Sequence, residues 1–223
     1  MTAKEIMDVK DMLTFTDKEM ICFNSILGGK NIDGIQLRMP PIGDKKEYIQ
    51  STLEKLKVKG MVNEKNQLTE LGKIPLKVLY EYKKAKKYVH INYLKIAIID
   101  EQNVVMFQRE KDKTYMLPIE KEILLEAILK EYEYLKQEQE KIEMAKREIT
   151  VLSYEKWLDS LDLMDQDTTD MIGLSKKEED KVVDRKIYYW DKNGMLLYDI
   201  EKQKRKRIIT KEVRETIKTM LEI

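Results

Sequence analysis

Two stretches of this chain present the same order of apolar runs, and that order constrains the fold more than any other feature. The later stretch, Ile187–Leu221, opens on KIYYWDKNGMLLYDI, where two apolar segments meet at Asn193-Gly194. Asn-Gly between apolar runs is a strong hairpin signal, because a type I′ turn needs two residues that tolerate positive φ. A basic tract follows, then Ile208-Ile209 and a helical period opening at Thr210. The earlier stretch, Ile96–Leu129, repeats the order in KIAIIDEQNVVMFQREKDKTYMLPI, with Asp100 matching Asp191, Phe107 matching Tyr198, and a helix expected after Pro118. Both predict strand, turn, strand, short strand, helix. The fold class read from this is α+β: a pseudo-two-fold repeat of a helix plus antiparallel β-β-β-α halves.

Ahead of the first half, Thr16-Asp-Lys-Glu19 is a capping box, in which hydroxyl and carboxylate satisfy backbone donors reciprocally. Met20, Ile21, Phe23, Ile26 and Leu27 form the buried side of that helix, and Gly28-Gly29 ends it. A second helix spans Asp44–Lys59, with Tyr48, Ile49, Thr52, Leu53, Leu56 and Val58 facing inward until Gly60 stops it. Met61-Val62 and Gln67-Leu68 flank a polar turn, and Thr69-Glu-Leu-Gly72 opens a third helix to about Lys87, with Pro75 tolerable in the first turn. Helix, glycine, small hairpin and LT-x-x-G helix give a winged-helix-like N-terminal segment. Such a segment would place Lys45, Lys46, Gln50, Lys55, Lys57 and Lys59 on a recognition face, followed by Lys83, Lys84, Lys86 and Lys87. Glu47 and Glu54 share that surface, and it carries no arginine for bidentate pairing with guanine. A winged-helix DNA-binding regulator is therefore carried as the alternative function.

The longest helical pattern runs from about Ile119 to Arg147, apolar at first and then charged through QEQEKIEMAKRE. A shorter helix resumes after Ser153, where Trp157, Leu158, Leu161 and Leu163 mirror the stripe that follows Thr16. The expected division is an N-terminal half at 1–136, a charged connector at 137–152 and a C-terminal half at 153–223. Between Met164 and Lys181 a polar loop is expected. Its Asp165, Asp167 and Asp170 lack the spacing and closing glutamate of a calcium loop. Alternation on the last hairpin puts Tyr188 and Trp190 on one face and Ile187 and Tyr189 on the other. The terminal helix, with Val213, Ile217, Met220 and Leu221, packs over one face. Aromatic residues commonly anchor interfaces. Tyr188, Trp190 and Tyr198, with Met171, Ile172 and Leu174 from the preceding loop, are the candidate partner-binding residues.

The chemistry of the chain argues for binding rather than catalysis. Lys+Arg 42 against Asp+Glu 41 leave a net charge of +1, which gives no overall pull toward nucleic acid or an anionic membrane. Cys22 is the only cysteine and His90 the only histidine, so neither an intramolecular disulfide nor a His/Cys metal cluster can form. There is no glycine-rich phosphate loop after a strand and no nucleophile elbow. No catalytic residue, cofactor or metal is expected. The first fifteen residues lack the apolar core of a signal peptide, and no run approaches the roughly 20 apolar residues of a membrane span. These features predict a cytoplasmic protein.

The segments FTDKEMICFNSILGGKNIDGI, LEKLKVKGMVNEKNQLTELGK, the IAII and VVMF strands, IYYWDKNGMLLYD and ITKEVRETIKTMLEI together resemble a family of uncharacterised proteins encoded in type VII secretion loci of Gram-positive bacteria. That family is similar in layout to the EspG secretion chaperones of mycobacteria, whose fold is a quasi-two-fold α+β arrangement. The resemblance implies a non-catalytic cytosolic chaperone or adaptor that binds a helical secreted substrate of the type VII system. The near-zero net charge and the lack of a membrane-length apolar run argue separately against nucleic acid and membrane insertion, and a homodimer stays open.

Overall fold

A computed structural model of the chain describes residues 13–38, 45–136, 149–157, 171–191 and 194–223. The described residues form an α+β protein with antiparallel strand pairing. Its strands are β1 (Thr14–Thr16), β2 (Lys87–Ile91), β3 (Leu94–Ile98), β4 (Asn103–Glu110), β5 (Lys113–Glu120), β6 (Thr150–Val151), β7 (Ile172–Glu178), β8 (Lys181–Asp191), β9 (Gly194–Asp199) and β10 (Lys204–Arg207). The helices are α1 (Asp17–Ile26), α2 (Lys45–Val58), α3 (Glu70–Lys84), α4 (Lys121–Glu131) and α5 (Thr210–Leu221), with a 3₁₀ turn at Glu133–Lys136.

Two compact units are present, one comprising Met1–Ala85 with Tyr93–Ile119, the other Lys86–Asn92 with Glu120–Ile223. This is not the linear division at 136 and 153 expected from the sequence. Strand β2 joins the second unit because it forms a ladder with β7, from Lys87↔Glu178 to Ile91↔Leu174. Helix α4 joins it because its apolar side packs with the 3₁₀ turn and α5.

In the first unit the strands run in the order β1-β5-β4-β3. The capping box forms as read: the Glu19 N–H donates to the Thr16 hydroxyl, and the Thr16 N–H donates to Glu19 Oε2 at 2.7 Å. Phe15 and Phe23 meet edge to face at 5.2 Å, and Tyr82 of α3 stacks on Phe107 of β4 at 4.1 Å. On α2, Tyr48, Thr52 and Leu56 turn inward as expected, but Ile49 and Val58 are exposed. The inward stripe is thus one residue per turn, narrower than the sequence period suggests. The LT-x-x-G motif has a packing reason. Thr69 caps α3 by accepting from the Gly72 N–H and donates to the Gly60 carbonyl at 2.6 Å. A Cβ on Gly72 would run into the Met61 carbonyl, so only glycine lets α3 start there. Pro75 lies inside α3, beyond the first turn where a proline is most easily tolerated.

The second unit has the strand order β2-β7-β8-β9-β10-β6. Three expectations change here. Residues Ile172–Glu178 are a strand and not part of a polar loop, because Ile172 and Leu174 alternate inward and pair with Tyr188 and Lys186 of β8. Strand β8 accordingly starts at Lys181, well before Ile187. The long helix expected from Ile119 begins only after β5, a strand that carries through Pro118 to Glu120, and it stops at Glu131. There Tyr132 leaves helical geometry, and Asn92 donates to its hydroxyl at 2.6 Å. Residues 137–148 of the charged connector, the stripe Leu158–Leu163, Asp165–Asp170 and Asn193 lie outside the described residues.

Candidate protein-binding surface

Cross-strand pairing sorts the second unit's side chains onto two faces, since directly opposed residues share a face. Ile172, Tyr188 and Leu197 fall in one row, joined two residues along by Leu174. Ile187 with Tyr198, and Tyr189 with Leu196, make the other. On the first face Tyr188 lies under α5, where Thr216 hydrogen-bonds its hydroxyl, and Trp190 meets Tyr134 edge to face at 5.9 Å. Burial pushes the Tyr188 phenol well above its usual value of 10, and the carboxylates of Asp184, Asp199 and Glu212 add to this against the Thr216 bond. It therefore stays neutral and is no proton donor or nucleophile at ordinary pH.

The second face is closed by the segment after β6. Ser153 caps a helical turn at 154–157 by accepting from the Lys156 N–H, which delivers Trp157 onto the sheet. Trp157 is 1% exposed; it stacks on Tyr198 with centroids 4.8 Å apart and meets Tyr189 edge to face at 6.0 Å. Leu196 completes this cluster, with Leu152, Met171, Ile187 and Ile200 partly buried around it. The Tyr198 hydroxyl donates to the Leu152 carbonyl at 2.9 Å. Tyr154 lies over the outer side of Trp157 at 5.6 Å and stays exposed.

The candidate binding residues are thereby redistributed. Tyr188, Tyr198, Ile172 and Leu174 are buried, which withdraws them from the accessible surface, while Trp190 and Met171 remain partly exposed. Alternation told which residues share a face; it could not tell that both faces are covered. What the sequence reading passed over lies beside the cluster, in the segment it took for a connector. Ile149 and Val151 are 63% and 74% exposed, and Thr150–Val151 is the last strand in this unit's order. The signal was present as Ile149-Thr-Val-Leu152, a β-favouring run just before Ser153.

Two charged clusters lie in this unit near its ends. At the end of α5, Glu222 adopts a left-handed conformation, and its carboxylate takes Lys87 at 2.7 Å and Lys176 at 3.1 Å. Next to the edge strand, β10 reads Lys204-Arg-Lys-Arg207. Among the described residues, no group of three or more His, Cys, Asp or Glu side chains is placed to hold a metal ion. No helix among them is long and apolar enough to cross a membrane. No curated protein matches the chain. Residues 9–223 match the family described as a domain of unknown function, DUF5081, and the chain belongs to that family.

Proposed function

We propose that this protein is a non-catalytic cytosolic chaperone or adaptor that holds a helical substrate of a type VII secretion system. The observation that carries the reading is the matched order of elements, which is the layout its resemblance to the EspG chaperones implies. In the first unit a short edge strand leads into a hydroxyl-capped helix, and the strand order is β1-β5-β4-β3. In the second the order is β6-β10-β9-β8, and β6 likewise leads into a turn capped by Ser153. Along the chain, three consecutive antiparallel strands twice precede a helix, β3–β5 before α4 and β8–β10 before α5. We read this as a pseudo-two-fold repeat.

The basic side chains of the winged-helix-like segment favour protein binding over DNA binding. Lys57 pairs with Glu54 and Glu64, Lys59 with Glu19, and Lys73 with Glu70, while Lys83 bonds Asn24 and the Lys30 carbonyl. Cations already matched to local carboxylates have less to gain from phosphate. Co-expression with each small helical secreted protein of its own locus, followed by size-exclusion chromatography, tests the proposal. Co-elution with one of them as a stable complex is expected. Failure of all of them to co-elute with the folded protein, or a tight sequence-selective mobility shift on DNA at physiological salt, overturns it.

A further inference from the structure

We propose that β6 is a docking edge that accepts an extended acidic strand from a partner protein, pairing main chain to main chain beside Lys204 and Arg205. Strand addition at an exposed edge draws affinity from backbone hydrogen bonds and specificity from flanking side chains. The geometry at β6 supplies both. The Leu152 N–H donates to the Gln203 carbonyl at 2.9 Å, and Val151 pairs with Lys204. Backbone groups alternate in direction along an antiparallel strand, so the N–H and C=O of Val151 point away from β10. They face the open side of the last strand in this unit's order.

Side chains at this edge invite pairing rather than discourage it. Natural edges are commonly guarded by charge or proline on the edge strand itself. Here Ile149, Thr150 and Val151 are uncharged and β-branched, and Ile149 and Val151 are exposed. The cations lie one strand further in. Lys202 pairs with Asp199 at 3.2 Å and Lys206 approaches Glu212 at 4.0 Å, whereas Lys204 and Arg205 have no carboxylate partner among the described residues. These two point to opposite faces, Lys204 beside Val151 and Arg205 beside Thr150. An added strand would lie about 10 Å from β10, two strand spacings. Long basic side chains passing over Val151 and Thr150 meet its carboxylates at that distance, one set on each face.

The same charges select the occupant. A second copy paired edge to edge would offer Ile149-Thr-Val151, which holds no carboxylate, and would leave Lys204 and Arg205 unmatched. An acidic strand is attracted from either face. This inference does not depend on the chaperone reading, since it concerns an extended segment and the other a helical substrate.

The test is fluorescence anisotropy of the full chain with a labelled peptide of repeating Val-Val-Glu-Glu, which as a strand carries carboxylates on both faces. Saturable binding is expected, weakened about tenfold by the pair Lys204→Gln and Arg205→Gln and equally by a valine–glutamine peptide. Val151→Pro, which removes the outward N–H at a position where an edge tolerates proline, abolishes it, with circular dichroism confirming an intact fold. N-methylation of alternate peptide amides abolishes it without altering the protein. The proposal is overturned by absence of binding to the folded chain, by unchanged affinity of the neutral or N-methylated peptide, or by a dimer that Val151→Pro dissolves. It is equally overturned if phosphatidylglycerol vesicles or single-stranded DNA bind as tightly through Lys204 and Arg205, since the patch is then a general anion surface. Peptide binding with no helical substrate co-eluting would reject the chaperone reading alone.

Discussion

Strands β1 and β6 are both short edge strands leading into a hydroxyl-capped helical turn, yet among the described residues one is sealed and the other open. At β1 the Met116 N–H donates to the Leu13 carbonyl, so Thr14 and Thr16 direct their backbone groups outward. Each meets a plug. The Thr14 carbonyl accepts Lys59 Nζ at 3.1 Å, the Thr16 N–H donates to Glu19, and Lys59 and Glu19 pair at 2.7 Å. Lys59 also lies over the Phe15 ring at 5.0 Å. At β6 the outward groups of Val151 meet no such pair among the described residues, and the neighbouring side chains are apolar. Position in a sheet therefore does not decide whether an edge is receptive. A carboxylate three residues on and a lysine brought in by the following helix decide it.

The largest test of this contrast lies in the aromatic residues behind each edge. Phe15 and Trp157 are both buried, and truncating either to alanine should cost about 3–5 kcal/mol in urea unfolding, through lost burial and the cavity left. Val151→Ala should change stability by no more than about 0.5 kcal/mol, as at other exposed positions. A large cost at Val151 would mean that the edge is covered.

Next in size is the plug itself. Lys59→Met leaves the Glu19 carboxylate, 1% exposed, without its cation and the Thr14 carbonyl without its donor. A loss of about 2 kcal/mol is expected, less than for a fully enclosed pair because Lys59 is partly solvated. The same variant should speed amide exchange in β1. If stability is unchanged, the ion pair is not what closes the edge.

Acid should act differently on the second unit. Burial raises the Glu222 pKa, but the bonds from Lys87 and Lys176 outweigh it and hold the carboxyl below its ordinary value of 4.5. A depressed carboxyl stabilises the fold above its unfolded pKa, and the contribution disappears as pH falls through the lower folded value. Loss of this increment is therefore expected only below about pH 4.5, and Glu222→Gln should remove that part of the pH dependence. Urea titrations of both proteins between pH 3 and pH 7 measure it.

The smallest difference concerns the caps. Thr16→Ala breaks a reciprocal box and should cost about 1 kcal/mol. Ser153→Ala removes a single bond at 3.4 Å and should cost a few tenths of that. Equal losses would place the same cap geometry in both halves.

How far the sequence could be read follows from the range of the interactions involved. The capping box at Thr16, the cap at Thr69 and the β-β-β-α runs at Ile96 and Ile187 were legible, because each is encoded within a few residues. Strand β7 was not. Only Ile172 and Leu174 alternate before Lys176 and Lys177 obscure the pattern, and its pairing partners lie on β2 and β8. Burial of Tyr188 and Tyr198 depends on α5 and Trp157, elements that a local pattern cannot position. The open edge was missed for the converse reason. Ile149-Thr-Val reads as a strand once β10 lies beside it, and the charged run before it carries the local pattern of a solvated connector.

Amide hydrogen exchange by NMR on the full chain tests the central contrast most directly. The Val151 amide should exchange close to its unfolded rate while the amides of Phe15 and Thr16 remain protected, the first by β5 and the second by Glu19. Protection of Val151 equal to that of Thr16 would contradict the account.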